Sequence, residues 1–118
     1  MSEVVRLDVF TRPQGGRSSP SEVFFERREF DLVLRLYGRM VAAGDWRDYA
    51  ISHDTEKCEF AVYHRAADSP LYRIVKTPKL ARKQGAYSVL SAAGRVLRRG
   101  HELAAVLRFL EPKELRLV

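Results

Sequence analysis

The sequence predicts an α+β fold, an antiparallel β-meander packed against two helices in a single domain. Three observations predict it. Two segments repeat apolar residues at helical spacing, several short segments between them alternate in the manner of strands, and turn residues separate those strands at short intervals. Connections this short imply antiparallel neighbours. The length of 118 residues suits one domain, and 46% apolar residues suffice for a core.

The domain is expected over residues 23–118, preceded by an N-terminal strand and flexible arm over 1–22. Val4 to Phe10 alternates as a strand would, and residues 11–21 are rich in Gly, Ser and Pro. Val23-Phe24-Phe25 reads either as a short strand or as a hydrophobic staple before the first helix. That helix is predicted from about Arg27 to Ala43. Phe30, Val33, Leu34, Tyr37, Met40 and Val41 form its apolar stripe, and Gly44 closes it. Glu29 and Asp31 near its start and Arg39 near its end suit the helix dipole.

Three strands follow, over Trp46–His53, Cys58–Arg65 and Leu71–Thr77, with turns at Asp54–Lys57 and Ala66–Pro70. Phe60 and Val62 share one face, and Ala61 and Tyr63 the other. On the third strand Tyr72 and Ile74 oppose Leu71, Arg73 and Val75. One face should meet the helices, and the chain ends should cover part of the other. Lys79–Gly85 reads as one helical turn or an open loop. Ala86–Ser91 and Arg95–Arg98 follow as short strands around Ala92-Ala93-Gly94. A second helix begins at Gly100-His101-Glu102, buries Leu103, Val106, Leu107 and Leu110, and stops at Pro112. Leu115 and Leu117 suit a last edge strand.

The sequence contains no run of about 18 apolar residues, so no transmembrane helix is expected. The N-terminus lacks the basic-then-apolar order of a signal peptide. A single cysteine, Cys58, cannot form an internal disulfide, so a cytoplasmic location is the default.

Several segments resemble a family once read in order. They are Leu36–Gly44, Trp46–Ile51, Leu71–Ile74, Lys79–Val89 and Val96–Leu103. Together they resemble the bacterial family catalogued as domain-of-unknown-function DUF2794, typical of alphaproteobacteria. The resemblance covers roughly residues 24–111. It implies a free-standing cytosolic bacterial protein and supplies no catalytic residues to carry over.

Catalytic constellations are hard to find. His53, Cys58 and His64 lie on neighbouring strands, but their spacing is not that of a zinc finger or ribbon. His101-Glu102 lacks the second His of a zinc-protease helix. Cys58 in a strand reads as a packed thiol rather than a nucleophile, and no Gly-x-Ser-x-Gly elbow occurs. Asp54, Glu56 and Glu59 cluster at a hairpin, where carboxylates are usually only solvated. Gly100 beside Arg98 and Arg99 suggests an anion contact, although a Gly between strand and helix is usually only a turn. The expectation is therefore a non-enzyme with no cofactor and no metal.

Charge is the informative feature. The net charge is +6, and it is unevenly placed. Residues 1–68 hold 10 Lys/Arg against 12 Asp/Glu, whereas residues 69–118 hold 11 against 3. Arg73, Lys76, Lys79, Arg82, Lys83, Arg95, Arg98 and Arg99 lie in one stretch without an acidic residue. Such a block repels itself unless an anion faces it. It predicts a nucleic-acid-binding surface of these eight residues, with Tyr87 as a stacking platform. The order helix, meander, helix is also that of a double-stranded-RNA-binding domain, though here some 20 residues separate the third strand from the last helix. The alternative is a protein-interaction or regulatory module that docks an acidic partner, or self-associates as a homodimer through an edge strand. The plainest reading is that these charges decorate solvated faces.

Overall fold

The computed structural model describes residues 22–65 and 69–111. The expected strand and arm over 1–22 lie almost wholly outside them, as do Pro112, the edge strand at Leu115–Leu117 and most of the second turn.

The elements are α1 (Arg27–Ala42), β1 (Asp48–His53), β2 (Cys58–Tyr63), β3 (Tyr72–Lys76), a 3-10 turn (Pro78–Leu80), β4 (Tyr87–Ser91), β5 (Val96–Gly100) and α2 (Leu103–Arg108). The five strands form one antiparallel sheet in sequence order, so the α+β meander expected from the sequence is the observed fold. Among the described residues, no helix is long and apolar enough to cross a membrane.

A reciprocal capping box starts α1, in which the Glu26 N–H donates to Glu29 Oε1 at 2.7 Å. Val23–Phe25 forms no strand in the sheet. Instead the Val23 N–H reaches the carbonyl of Asp54 at 2.9 Å. The buried centre of α1 is Val33, Leu36 and Met40. Val41, expected in the stripe, is 40% exposed, and Leu36 takes its place. At 100° per residue, positions 33, 36 and 40 point nearly the same way, and 41 turns off that line. Gly44 ends the helix at φ +84° as expected.

Strand register sets the two faces. Ile51, Phe60, Ile74 and Val89 lie in one row across the sheet. Phe60, Ile74 and Val89 are fully buried and pack with Val33, Leu36 and Trp46 of the first helix and its exit, and with Leu103, Val106 and Leu107 of α2. Both helices therefore cover one face. The opposite face carries Glu59, Ala61, Arg73, Val75, Ser88 and Arg99. The expectation that the chain ends cover it lies outside the described residues.

The boundary between β5 and α2 differs from expectation. Strand β5 runs on through Arg99 and Gly100, so α2 begins only at Leu103. A Cβ on Gly100 would sit 3.1 Å from Val106 Cγ2, so the small residue lets α2 pack closely on the strand end. Of the two forms expected for the Lys79–Gly85 connector, one helical turn or an open loop, the structure shows the turn. It is a 3-10 turn extended by N–H groups of Lys83, Gln84 and Gly85 that all donate to the Leu80 carbonyl.

Candidate nucleic-acid interface

The connector owes its position to one close approach. Gly85 has φ +107°, and a Cβ there would lie 2.3 Å from the carbonyl carbon and oxygen of Gly100. Only glycine permits that contact. It seats the end of the connector that carries Arg82 and Lys83 against Gly100, the residue that follows Arg98 and Arg99 on β5.

The eight basic residues do not share one face. Arg73 and Arg99 lie on the face away from the helices, while Arg98 lies in the helix-side row beside Val89. Arg95 sits at the β4–β5 turn, where its N–H donates to Ser91 Oγ at 3.1 Å. Three of the eight have a carboxylate of the N-terminal half within 4 Å. Arg73 faces Glu59 at 3.8 Å, Lys79 faces Glu56 at 3.8 Å, and Lys76 meets Glu29 at 2.8 Å. Arg82, Lys83, Arg95, Arg98 and Arg99 have no carboxylate within that distance among the described residues. One Arg99 guanidinium nitrogen, Nη1, is buried without a hydrogen-bond acceptor among the described residues.

Two expected interface residues face inward, which corrects the sequence reading. Lys76 and Tyr87 pair across β3 and β4 on the helix side. Lys76 Nζ donates to Glu29 Oε1 and to the Phe24 carbonyl at 2.9 Å, and only 13% of its side chain is exposed. The Tyr87 hydroxyl donates to Glu29 Oε2. Neither residue is placed to meet a phosphate or a base. The signal was present in the sequence, because the alternation that puts Tyr72 and Ile74 on the helix face puts Lys76 there too. The acidic partner was harder to foresee, since Glu29 read simply as a first-turn carboxylate.

This clasp shifts its members. Burial pushes the Glu29 carboxyl up, but hydrogen bonds from Lys76, Tyr87 and the Glu26 N–H outweigh it and hold the group below its ordinary value. Burial first, then the Glu29 carboxylate, pushes Tyr87 well above the usual phenol range. Cys58 shares the same row of the sheet. Burial drives its thiol up to about 12, so it stays protonated at neutral pH. Among the described residues, no three His, Cys, Asp or Glu side chains converge as a metal site.

The sequence reading passed over Phe109. Its ring is 39% exposed just after α2, and the Arg98 guanidinium lies over it at 5.5 Å from the centroid. Arg98 also borders a cleft of about 350 Å3 between the end of β5 and α2, together with His101, Glu102, Ala105 and Val106. Val96 and Leu97 on the edge strand are 49% and 36% exposed.

A family model described as a protein of unknown function, DUF2794, matches residues 23–107, which is more than half of the chain. No curated protein and no solved structure matches the chain.

Proposed function

The chain belongs to the DUF2794 family, and from its surface chemistry we propose that it is a non-catalytic, cytoplasmic, basic binding module that contacts nucleic-acid phosphates. The observation that carries this reading is the seating of the Lys79–Gln84 connector on Gly100. It brings the connector carrying Arg82 and Lys83 to the strand end that carries Arg98 and Arg99, and none of the four has a carboxylate within ion-pair distance among the described residues. Lys79 lies on the same connector, Arg95 lies at the other end of β5 in the β4–β5 turn, and Arg73 lies on the sheet face away from the helices. Cations so arranged gain affinity by displacing counterions from a polyanion, and need no sequence readout.

The test is binding of labelled duplex and single-stranded probes over a salt series. About four phosphate contacts give a slope of log K against log salt of roughly −3 to −4. Reversing charge at Arg82, Lys83, Arg98 and Arg99 is expected to abolish binding. Absence of binding by the unaltered protein at low salt refutes the proposal.

A second reading, docking of an acidic protein, is favoured by the exposed Val96 and Leu97 on the edge strand and the exposed Phe109 just after α2. A complex that survives nuclease treatment and is lost with the charge-reversed protein supports it. Homodimer pairing through β5 is disfavoured, because it brings the arginines of one edge strand, Arg95, Arg98 and Arg99, close to those of the other.

A further inference from the structure

We propose that the cleft between β5 and α2 receives one unpaired base, so that the module prefers single-stranded to duplex nucleic acid. This rests on the phosphate-binding reading above, and it names the form of polyanion that the basic residues take.

The cleft has the size and the walls for such an occupant. Its volume of about 350 Å3 lies at the small end of ligand sites, which run from about 300 to 1,000 Å3. It can hold a nucleotide but has no room for a length of helix. Ala105 and Val106 line one side, and Arg98 and His101 supply donors. Glu102, also in the lining, is an acceptor for an exocyclic amino group.

The second observation is Phe109. A large aromatic ring is usually withdrawn from water, yet this one is 39% exposed. It follows Ala105 by one helical turn, and its face is overlaid by the same Arg98 that borders the cleft. Ring and planar guanidinium together form a platform on which a base stacks, whatever its identity. Bases inside a duplex are stacked on one another and present only their edges, so this platform is reachable only by an unpaired base. Arg99 also lines the cleft, and the connector that carries Arg82 and Lys83 is seated on the adjoining Gly100, so these cations are the ones offered to the flanking phosphates. Phe109 thus replaces Tyr87, which is committed to Glu29, as the aromatic partner.

The experiment compares an oligothymidylate of about 16 nucleotides with a duplex of equal length, using the full chain and fluorescence anisotropy at several salt concentrations. The single strand is expected to bind more tightly. The Phe109→Ala variant is expected to lose about 5- to 150-fold of that affinity, the worth of one stacked base, and to bind duplex unchanged. The Phe109→Leu variant preserves apolar packing but removes the ring, and is expected to lose the same preference, which separates stacking from misfolding. The Phe109→Trp variant retains the platform and is expected to show quenching of the new indole by the single strand only. Equal, salt-sensitive binding of both probes, unaffected by Phe109→Leu, overturns the unpaired-base site and leaves the phosphate reading standing. No binding of either probe at low salt overturns both.

Discussion

Replacing Glu29 with Gln removes one charge from a clasp that ties the first turn of α1 to the centre of the sheet. The side chains of Glu29 and Lys76 are only 12% and 13% exposed and meet at 2.8 Å. Gln is nearly isosteric and still satisfies a capping box at this position, so the substitution removes the charge together with one acceptor, the oxygen that the Tyr87 hydroxyl reaches. What remains is the Lys76 ammonium, poorly hydrated and without a counter-charge, with only neutral acceptors: the Phe24 carbonyl and the amide oxygen at position 29. Breaking a fully buried pair costs about 3–5 kcal/mol. The residual exposure and the surviving carbonyl contact lower this to about 2–3 kcal/mol, or roughly 8–20 °C in melting temperature for a domain of this size. Adding Lys76→Met removes the stranded charge and is expected to recover much of the loss.

The same clasp predicts an acid response. The Glu29 carboxyl is held below its ordinary value in the fold, so the unfolded chain binds the proton more readily. Its contribution is complete above about pH 4.3 and vanishes as the pH falls through the lower folded value. Urea denaturation of parent, single and double variants between pH 7 and pH 3 measures both effects. A Glu29→Gln variant within about 0.5 kcal/mol of the parent at pH 7, with the same loss toward acid, refutes the reasoning.

Two further outcomes are expected. Gly85→Ala drives a Cβ into Gly100 backbone atoms at 2.3 Å and requires φ +107° of a non-glycine residue, so a loss of roughly 3–5 kcal/mol is expected. Gly94→Ala, with open space around it at φ +90°, is expected to cost only about 1–2 kcal/mol. Thermal melts of the two variants decide this, and equal losses contradict the packing argument. Cys58 is 1% exposed and its thiol is pushed up to about 12. Iodoacetamide is therefore expected to leave the native protein unmodified at neutral pH and to label it in urea, with mass spectrometry as the readout. Rapid stoichiometric labelling of the native protein contradicts that assignment.

The meander was legible because period-two alternation and short polar turns are local properties. The pattern Cys58-Glu59-Phe60-Ala61-Val62-Tyr63 marks a strand without reference to any other segment. Its boundary at β5 was not legible, because Gly100 and His101 resemble a helix start until the pairing of Tyr87 with Gly100 extends the strand. Charge was legible as an amount but not as a direction. Alternation on β3 separates Arg73 from Lys76, yet only the arrival of α1 above the sheet turns Lys76 into a partner for Glu29.

From the chain of amino acids alone came the α+β class, the order of elements, most of the buried face and the excess of positive charge in the C-terminal half. These depend on neighbours a few residues apart, whose spacing directly sets which side of a helix or strand they occupy. Which cations meet carboxylates, which stand together at the connector, and that Phe109 lies beneath Arg98 were decided only when distant segments came together. A charge's partner is set by distance in space, and residues 29 and 76, or 85 and 100, become neighbours only through the packing of helix on sheet and connector on strand.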